Sequence, residues 1–420
     1  MPQNGSVMMT ALKRRAFPTI TNETAIAFIG LYCLAVVMGY GRFLFTATLP
    51  DIMAQLSFST TMVGWLASIN YIGYFIGALI AMFVPQRATW QAMTVWTIVS
   101  VITTMLLSLS NMSLGLWYVV RLLAGIASGV AMILSSSFVI QRLSVARRSV
   151  LSALHYAGIG VGISASAILT WWLLVLGYHF DTIWLVAGMS SLPLLWLLWA
   201  IKPNIANPAH FSPRLSLYQT YLSFKKALYE AAAGQYKAIA LLLSSYVLAG
   251  FGYITSATFL PVMATQRLTT QAHTGLIVWL VVGIFAMLSN PLWGAFAKRI
   301  GEIKTLIGLT LLQAFGMCLP IWFEGAVGLY GNAVILGLTF VGIVSMTLNL
   351  IKNINPTYSN LLIGLATLAY ALGQFLGPLV TVALAGKEGN FNAGLLVAAI
   401  GLGMGVILLS LFRRQSLMRA

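Results

Sequence analysis

Residues 38–50 read MGYGRFLFTATLP, and 211 positions later residues 249–261 read AGFGYITSATFLP. Two glycines that are two positions apart and a terminal Leu-Pro pair recur, and both segments lie in long apolar stretches. A second match, with a shift of 214 positions, pairs residues 151–157 with residues 365–371. A repeat of about 200 residues is too long for a solenoid and indicates a duplicated membrane half.

The composition is that of a membrane protein. The 420-residue chain is 60% hydrophobic and only 7% charged, and its mean hydropathy is +0.92. Twelve mostly apolar stretches of about 20 or more residues predict an all-α membrane protein with two pseudo-symmetric six-helix halves. The predicted boundaries are 1–201 for the first half, 202–237 for a cytoplasmic linker and 238–420 for the second half. The first helix is predicted to end at Pro50, and the third to span Gln91–Ser110.

The net charge of +16 reflects membrane topology. If the N-terminus is cytoplasmic, 19 of the 23 Lys and Arg residues fall in cytoplasmic segments, two in outer loops and two inside helices. This bias follows the positive-inside rule and predicts cytoplasmic termini, a lipid bilayer as the surroundings and no nucleic-acid partner. The two cysteines and four histidines show no metal-binding spacing, so we expect no metal and no cofactor.

Two arginines lie deep within predicted helices, whereas all seven acidic residues map to helix ends or loops. Arg42 precedes Pro50 by eight residues and Arg121 follows Leu114 by seven, so both lie roughly 11–12 Å below the outer helix ends. Buried cations are costly in lipid and are functional by default, and a guanidinium can grip an anion bidentately. The structural alternative is that each arginine binds backbone carbonyls and holds helices together.

Other polar groups inside the apolar stretches are weaker candidates. Substrate contacts are predicted for the side chains Tyr40, Asn70, Tyr74, Tyr253 and Gln374, together with the two arginines. The amide of Asn70 could equally hold a neighbouring helix. His155 is the one interior group that titrates near neutral pH, so it is the candidate for proton coupling, against the alternative of a structural helix-end histidine.

Several motifs resemble those of the major facilitator superfamily. Arg121, Gly125 and Gly129 are spaced four apart on helix four, and small residues on one face let a neighbouring helix approach closely. Arg299 and Gly301 after helix eight resemble the superfamily's basic loop, although Lys298 stands where an aspartate is expected. Helix eleven contains Gly377-Pro378, like the superfamily's glycine-proline bend. The resemblance implies packing or gating roles for Gly125, Gly129, Arg299, Gly301, Gly377 and Pro378.

The N-terminal half resembles the YbfB/YjiJ-type branch of these proteins. The matching blocks are residues 39–43 with Leu49-Pro50, and residues 64–74. The resemblance implies a bacterial inner-membrane carrier. We therefore expect a monomeric secondary transporter of a small organic anion or an anionic amphipathic compound, and the alternative is a multidrug-type efflux carrier. A membrane enzyme would need a buried nucleophile, acid–base pair or metal cluster, and the apolar stretches supply none.

Overall fold

The structure is a computed structural model, and it describes residues 22–144, 146–200, 226, 228–232, 234–269, 273–386 and 390–417. These residues contain twelve long helices: α1 Glu23–Leu56, α2 Thr60–Met82, α3 Thr89–Leu106, α4 Leu114–Gln141, α5 Arg148–Val175, α6 Phe180–Ala200, α7 Tyr236–Arg267, α8 Thr274–Ile300, α9 Glu302–Trp322, α10 Ala326–Ile354, α11 Ser359–Ala385 and α12 Asn392–Leu417. The described part of the chain contains no strand. The predicted all-α membrane fold is confirmed.

Eleven of the twelve described helices are long and apolar enough to cross a membrane. The exception, α3, has 18 residues and is rich in threonine. It begins at Thr89 and ends at Leu106, four residues before the predicted end at Ser110. Thr97, Thr103 and Thr104 are buried, and their hydroxyls donate to carbonyls three or four residues earlier in the same helix. Hydroxyls satisfied in this way let a polar sequence lie among apolar neighbours.

The predicted end of the first helix at Pro50 was wrong. Pro50 lies inside α1, and the helix continues to Leu56. The continuation is anchored on α6, because Asp51 Oδ2 accepts a hydrogen bond of 2.7 Å from the backbone N–H of Phe180. Arg42 therefore lies 14 residues from the end of the helix, about 20 Å at 1.5 Å per residue rather than about 12 Å.

The N-terminal half, α1–α6, packs against the C-terminal half, α7–α12, through two long contacts. Helix α2 packs along α11, and α5 packs along α8. The α5–α8 backbones approach closely, since a Cβ added at Gly160 would lie 2.6 Å from the carbonyl oxygen of Gly283. The part of α1 after Phe43 also packs on α7. The boundary prediction stays a prediction, because most of residues 202–237 lie outside the described part.

Helices α2 and α4 are in close contact inside the N-terminal half. A Cβ added at Gly125 would lie 2.0 Å from the carbonyl oxygen of Asn70, and one at Gly129 would lie 2.7 Å from that of Tyr74. Real side chains do not occupy such distances, so only glycine lets the two backbones meet here. This contact fixes the height of Tyr74 on α2 relative to α4.

Candidate functional site

A cavity lies between the two halves, and seven helices contribute to its lining: α1, α2, α4, α5, α7, α10 and α11. Seven of the 17 described lining residues are aromatic, namely Phe43, Tyr74, Tyr156, Tyr246, Tyr253, Phe340 and Tyr370. Arg42 is the one charged residue among these 17. The site therefore combines an apolar, aromatic lining with a single positive charge.

The cavity is narrow in this structure. The centres of water molecules can occupy about 40 Å³ of it, which is room for roughly three waters at about 10–15 Å³ each. Most solute-sized ligands need several hundred Å³. In this structure the cavity is therefore too small for an organic molecule of that size.

Arg42 is 2% exposed and joins the two halves. Its Nη2 donates a hydrogen bond of 2.7 Å to Oε1 of Gln374 on α11. Its guanidinium carbon lies 4.3 Å from the ring centre of Tyr74 and 4.6 Å from that of Tyr71, which is cation–π distance. Nε of Arg42 has no hydrogen-bond partner among the described residues. One N–H donor of the guanidinium is thus left unused.

Local helix geometry places Arg42 at this position. Residues Ala35–Phe43 of α1 are π-helical, so each N–H bonds the carbonyl five residues earlier, a geometry that is common at functional sites. Two glycines in this segment allow close packing: a Cβ at Gly39 would lie 2.4 Å from Cα of Gly162, and one at Gly41 would lie 2.5 Å from Oγ of Ser100. The wide turn therefore fits tightly between α3 and α5 while Arg42 points to the cavity.

The C-terminal half supplies a row of stacked rings. Tyr246 and Tyr370 stack with their centroids 4.5 Å apart, Tyr370 and Tyr253 at 6.0 Å, and Tyr253 and Phe340 at 4.8 Å. The interplanar angles are 28°, 16° and 15°. We call these four residues the ring stack. The hydroxyls of the three tyrosines are the polar groups of the ring stack.

Comparison with known proteins agrees with this architecture. The family model described as "Uncharacterised MFS-type transporter YbfB" matches residues 34–410, where MFS denotes the major facilitator superfamily. The chain belongs to this family. The chain is also 24% identical over 377 residues to the "Uncharacterized MFS-type transporter YceJ" of Bacillus subtilis (strain 168), a match over 85% of this chain and 88% of that protein.

A solved structure shows the same fold. A mutant of the nucleoside transporter NupG superposes with a TM-score of 0.71, over 93% of this chain and 100% of that one, at 13% sequence identity. At this identity the likeness concerns the fold alone. This member of the MFS family is therefore a multi-pass membrane protein with the major facilitator fold, as the sequence resemblance predicted.

Four of the seven side chains predicted to contact substrate line the cavity of this MFS-family protein: Arg42, Tyr74, Tyr253 and Gln374. Tyr40, Asn70 and Arg121 are absent from the described lining. Tyr40, although on α1, lies beside Ser190 of α6. Arg42 thus has the surroundings of a ligand-binding group, whereas the other three contact neighbouring helices.

Arg121 and Asn70 tie α2 to α4. Nε of Arg121 donates to the carbonyl of Leu66 at 3.3 Å, and its guanidinium carbon lies 4.1 Å from the ring centre of Phe45. Nδ2 of Asn70 donates to the carbonyl of Arg121 at 2.9 Å. Both side chains are fully buried. For both residues, this geometry matches the alternative that the side chain holds neighbouring helices together and does not bind substrate.

His155 lies behind the cavity wall. Its Nε2 is 3.1 Å from Oγ of Ser136 on α4, and its ring packs against Tyr156, whose side chain lines the cavity. The other ring nitrogen faces α1, since a Cβ at Gly30 would lie 2.4 Å from Nδ1. His155 therefore reaches the cavity only through its neighbour Tyr156.

The residues predicted to act in packing or gating lie at distinct positions. Gly301 follows the end of α8 with a φ of +90°, which favours glycine, and Arg299 lies in the last turn of that helix. Pro378 lies inside α11, and a Cβ at Gly377 would lie 2.3 Å from a methyl carbon of Ile254 on α7. Backbone conformation explains the glycine at 301 and close helix packing explains the glycine at 377, while a role in gating stays a prediction.

Of the four residues in the ring stack, Tyr253 is the one that was predicted to contact substrate. Tyr246 lies seven residues before Tyr253, which is two helical turns, so the two share one face of α7. Phe340, Val344 and Leu348 recur every four residues and form the lining face of α10. The spacing from the predicted contact Tyr253 could have identified Tyr246. Nothing comparable marked Phe340, because α10 carried no predicted contact.

Proposed function

We propose that this protein is a secondary active transporter of a small organic anion, or of an amphipathic compound with an anionic group. It acts as a carrier rather than an enzyme, in the bacterial inner membrane, with both termini cytoplasmic and as a monomer. The observation that carries the proposal is Arg42, the one charged residue among the described lining residues of the cavity.

The charge of Arg42 is not balanced within the described part of the protein. The two ion pairs found there join Asp51 to His179 and Glu230 to Lys226, and Arg42 takes part in neither. Its neighbours are an amide oxygen and aromatic rings, which offset only part of the cost of burying a cation. A substrate carboxylate would supply the missing negative charge and could use the free Nε.

The same contact supports alternating access. The bond from Arg42 to Gln374 joins α1 to α11, so it crosses from one half to the other. A carboxylate that binds two donors of the guanidinium would displace the weaker, neutral amide oxygen of Gln374. Substrate binding would then release one link between the halves, which the narrow cavity needs in order to open.

The alternative is a multidrug-type efflux carrier. The seven aromatic residues in the lining favour it, because such surfaces accept amphipathic molecules of several shapes. No carboxylate lies among the described lining residues, so this cavity does not favour the lipophilic cations that many drugs are. The two functions can be distinguished by transport: the anion carrier takes up an organic anion, whereas the multidrug carrier exports a cation.

The test is transport by purified protein in liposomes. Butyrate, hexanoate and benzoate should produce uptake, whereas the corresponding neutral amides should not. Arg42→Lys keeps the charge but loses the planar fork, so it should raise the substrate KM about tenfold or more.

Arg121→Lys is the matched control, because it changes the other buried arginine outside the cavity lining. It should leave KM close to that of the unchanged protein. Equal uptake of acids and amides, or an unchanged KM in Arg42→Lys, would contradict the proposed function.

A further inference from the structure

We infer that the substrate is a planar aromatic molecule with a single carboxylate. This inference rests on the proposed function and narrows it from organic anions in general to one shape and one charge. Two independent observations lead to it: the way the ring stack covers its own ring faces, and the presence of one cation among the described lining residues.

The first observation concerns Tyr253 and Tyr370, the two inner members of the ring stack. Tyr253 stacks on Phe340 and on Tyr370, and Tyr370 stacks on Tyr253 and on Tyr246. Because one face of each ring is covered by a neighbour whose centroid lies 4.5–4.8 Å away, a ligand in the cavity would meet mainly ring edges and hydroxyls. Aromatic edges carry positive partial charge and attract the negative face of another aromatic ring.

A saturated ring of the same size has no such negative face. It would gain the same apolar burial against the ring stack but not the edge-to-face attraction. The wall of the C-terminal half therefore favours an aromatic ligand over an alicyclic one. Arg42 and Tyr74 lie on the opposite, N-terminal side, so the ligand would bridge the two halves.

The second observation limits the ligand to one negative charge. Beyond Arg42, the polar side chains among the described lining residues are neutral, and Ser345 and Thr367 already donate to carbonyl or amide oxygens. A second carboxylate at the far end of the ligand would lie among aromatic and aliphatic groups with no cation to pair with. Burial of such a charge is strongly unfavourable.

Four probes of nearly the same size test both parts in the purified, detergent-solubilised protein. They are 4-methylbenzoate, trans-4-methylcyclohexanecarboxylate, terephthalate and 4-methylbenzamide, and the measurement is Kd by isothermal titration with thermal shift as a second readout. We expect 4-methylbenzoate to bind at least threefold more tightly than the cyclohexane acid. Terephthalate should bind at least tenfold more weakly than 4-methylbenzoate, and the amide should not bind.

Two variants connect the aromatic preference to the ring stack. Tyr370→Leu keeps an apolar side chain but removes the ring, so the two monocarboxylates should bind equally. Tyr330→Leu is the matched control, because Tyr330 lies on α10 outside the cavity lining, and it should keep the preference. If Tyr370→Leu does not fold, the four Kd values of the unchanged protein still decide the question.

The outcomes separate the two levels of the proposal. If both monocarboxylates bind equally well and Arg42→Lys weakens both, the aromatic inference fails and the anion carrier stands. If 4-methylbenzamide binds as tightly as 4-methylbenzoate, the proposed function itself fails. Tight binding of terephthalate would overturn the restriction to one charge, and absence of binding by all four probes would overturn the inference.

Discussion

Arg42 and Gln374 form a hydrogen bond of 2.7 Å between the two halves of the protein, from a residue of α1 to one that lies 332 positions later on α11. Both side chains are about 2% exposed and both line the central cavity. A hydrogen bond to a charged donor contributes about 1.5–3 kcal/mol. The pair is therefore well placed to couple ligand binding to the separation of the halves.

Gln374→Glu should block the anion site, because a carboxylate of the protein itself would then occupy Arg42. The new carboxylate would pair with Arg42 in the same geometry as the amide oxygen, and the charged pair would hold the halves together more firmly than the neutral amide. We expect a higher melting temperature and a loss of at least tenfold in affinity for organic anions. The measurements are thermal unfolding and anion titration.

Gln374→Leu serves as the control for this change, since it removes the hydrogen bond without adding a charge. It should lower the melting temperature and leave anion affinity within a fewfold of normal. An anion affinity in Gln374→Glu that matches the unchanged protein would show that the carboxylate of the ligand does not bind at Arg42.

Arg42 and Arg121 should respond differently to removal of the guanidinium. Arg42→Ala should weaken anion binding by about 1.5–3 kcal/mol, or roughly ten- to a hundredfold, because it removes a charged hydrogen-bond donor from the cavity. Arg121→Ala should mainly lower stability, because it removes the contacts to Leu66 and Phe45 that hold α2, α4 and α1 together. Kd and melting temperature, measured on the same samples, distinguish the two. A larger loss of affinity in Arg121→Ala would reverse the assignment.

Gly125→Ala should destabilise the protein strongly. The added methyl carbon would lie 2.0 Å from the carbonyl oxygen of Asn70, so α2 and α4 would have to separate, at a cost of about 1–3 kcal/mol or more. Gly308→Ala on α9 is the matched control, because a Cβ there meets no atom within 4 Å, and alanine favours a helix by about 0.5–1 kcal/mol. Thermal unfolding should show a lower midpoint for the first variant and an equal or higher midpoint for the second.

His155→Gln tests proton coupling. Glutamine keeps a polar side chain that can still bond Ser136 but has no group that titrates near neutral pH. If His155 carries the coupling proton through Tyr156, transport by the variant should lose its pH dependence while counterflow exchange of substrate continues. A pH profile identical to that of the unchanged protein would assign coupling to another group or ion.

The topology can be tested with reporter fusions. The distribution of Lys and Arg predicts a cytoplasmic linker at 202–237, so a reporter fused after Pro213 should be active only in its cytoplasmic form. A second fusion between α7 and α8, near Gln271, should give the opposite result. Activity of a periplasmic reporter after Pro213 would invert the proposed orientation.

The class of fold was readable from local sequence alone. Apolar stretches long enough to cross a bilayer, the repeat that relates residues 38–50 to 249–261 and the bias of basic residues each depend on short segments. A bilayer leaves the backbone few alternatives to the helix, so hydropathy translates almost directly into structure. The exception is the first helix, which continues past the predicted boundary at Pro50 to Leu56, where the contact of Asp51 with α6 anchors the continuation.

The sequence also identified the candidate site residues, because buried arginines, intramembrane amides and one interior histidine are rare among apolar neighbours. It could not determine which of them share a cavity. Arg42 and Arg121 are equivalent by residue type and predicted depth, yet one meets Gln374 in the cavity and the other binds the carbonyl of Leu66. That difference depends on helix rotation and on contacts between residues 332 and 55 positions apart in the sequence, and only the packed tertiary structure decides both.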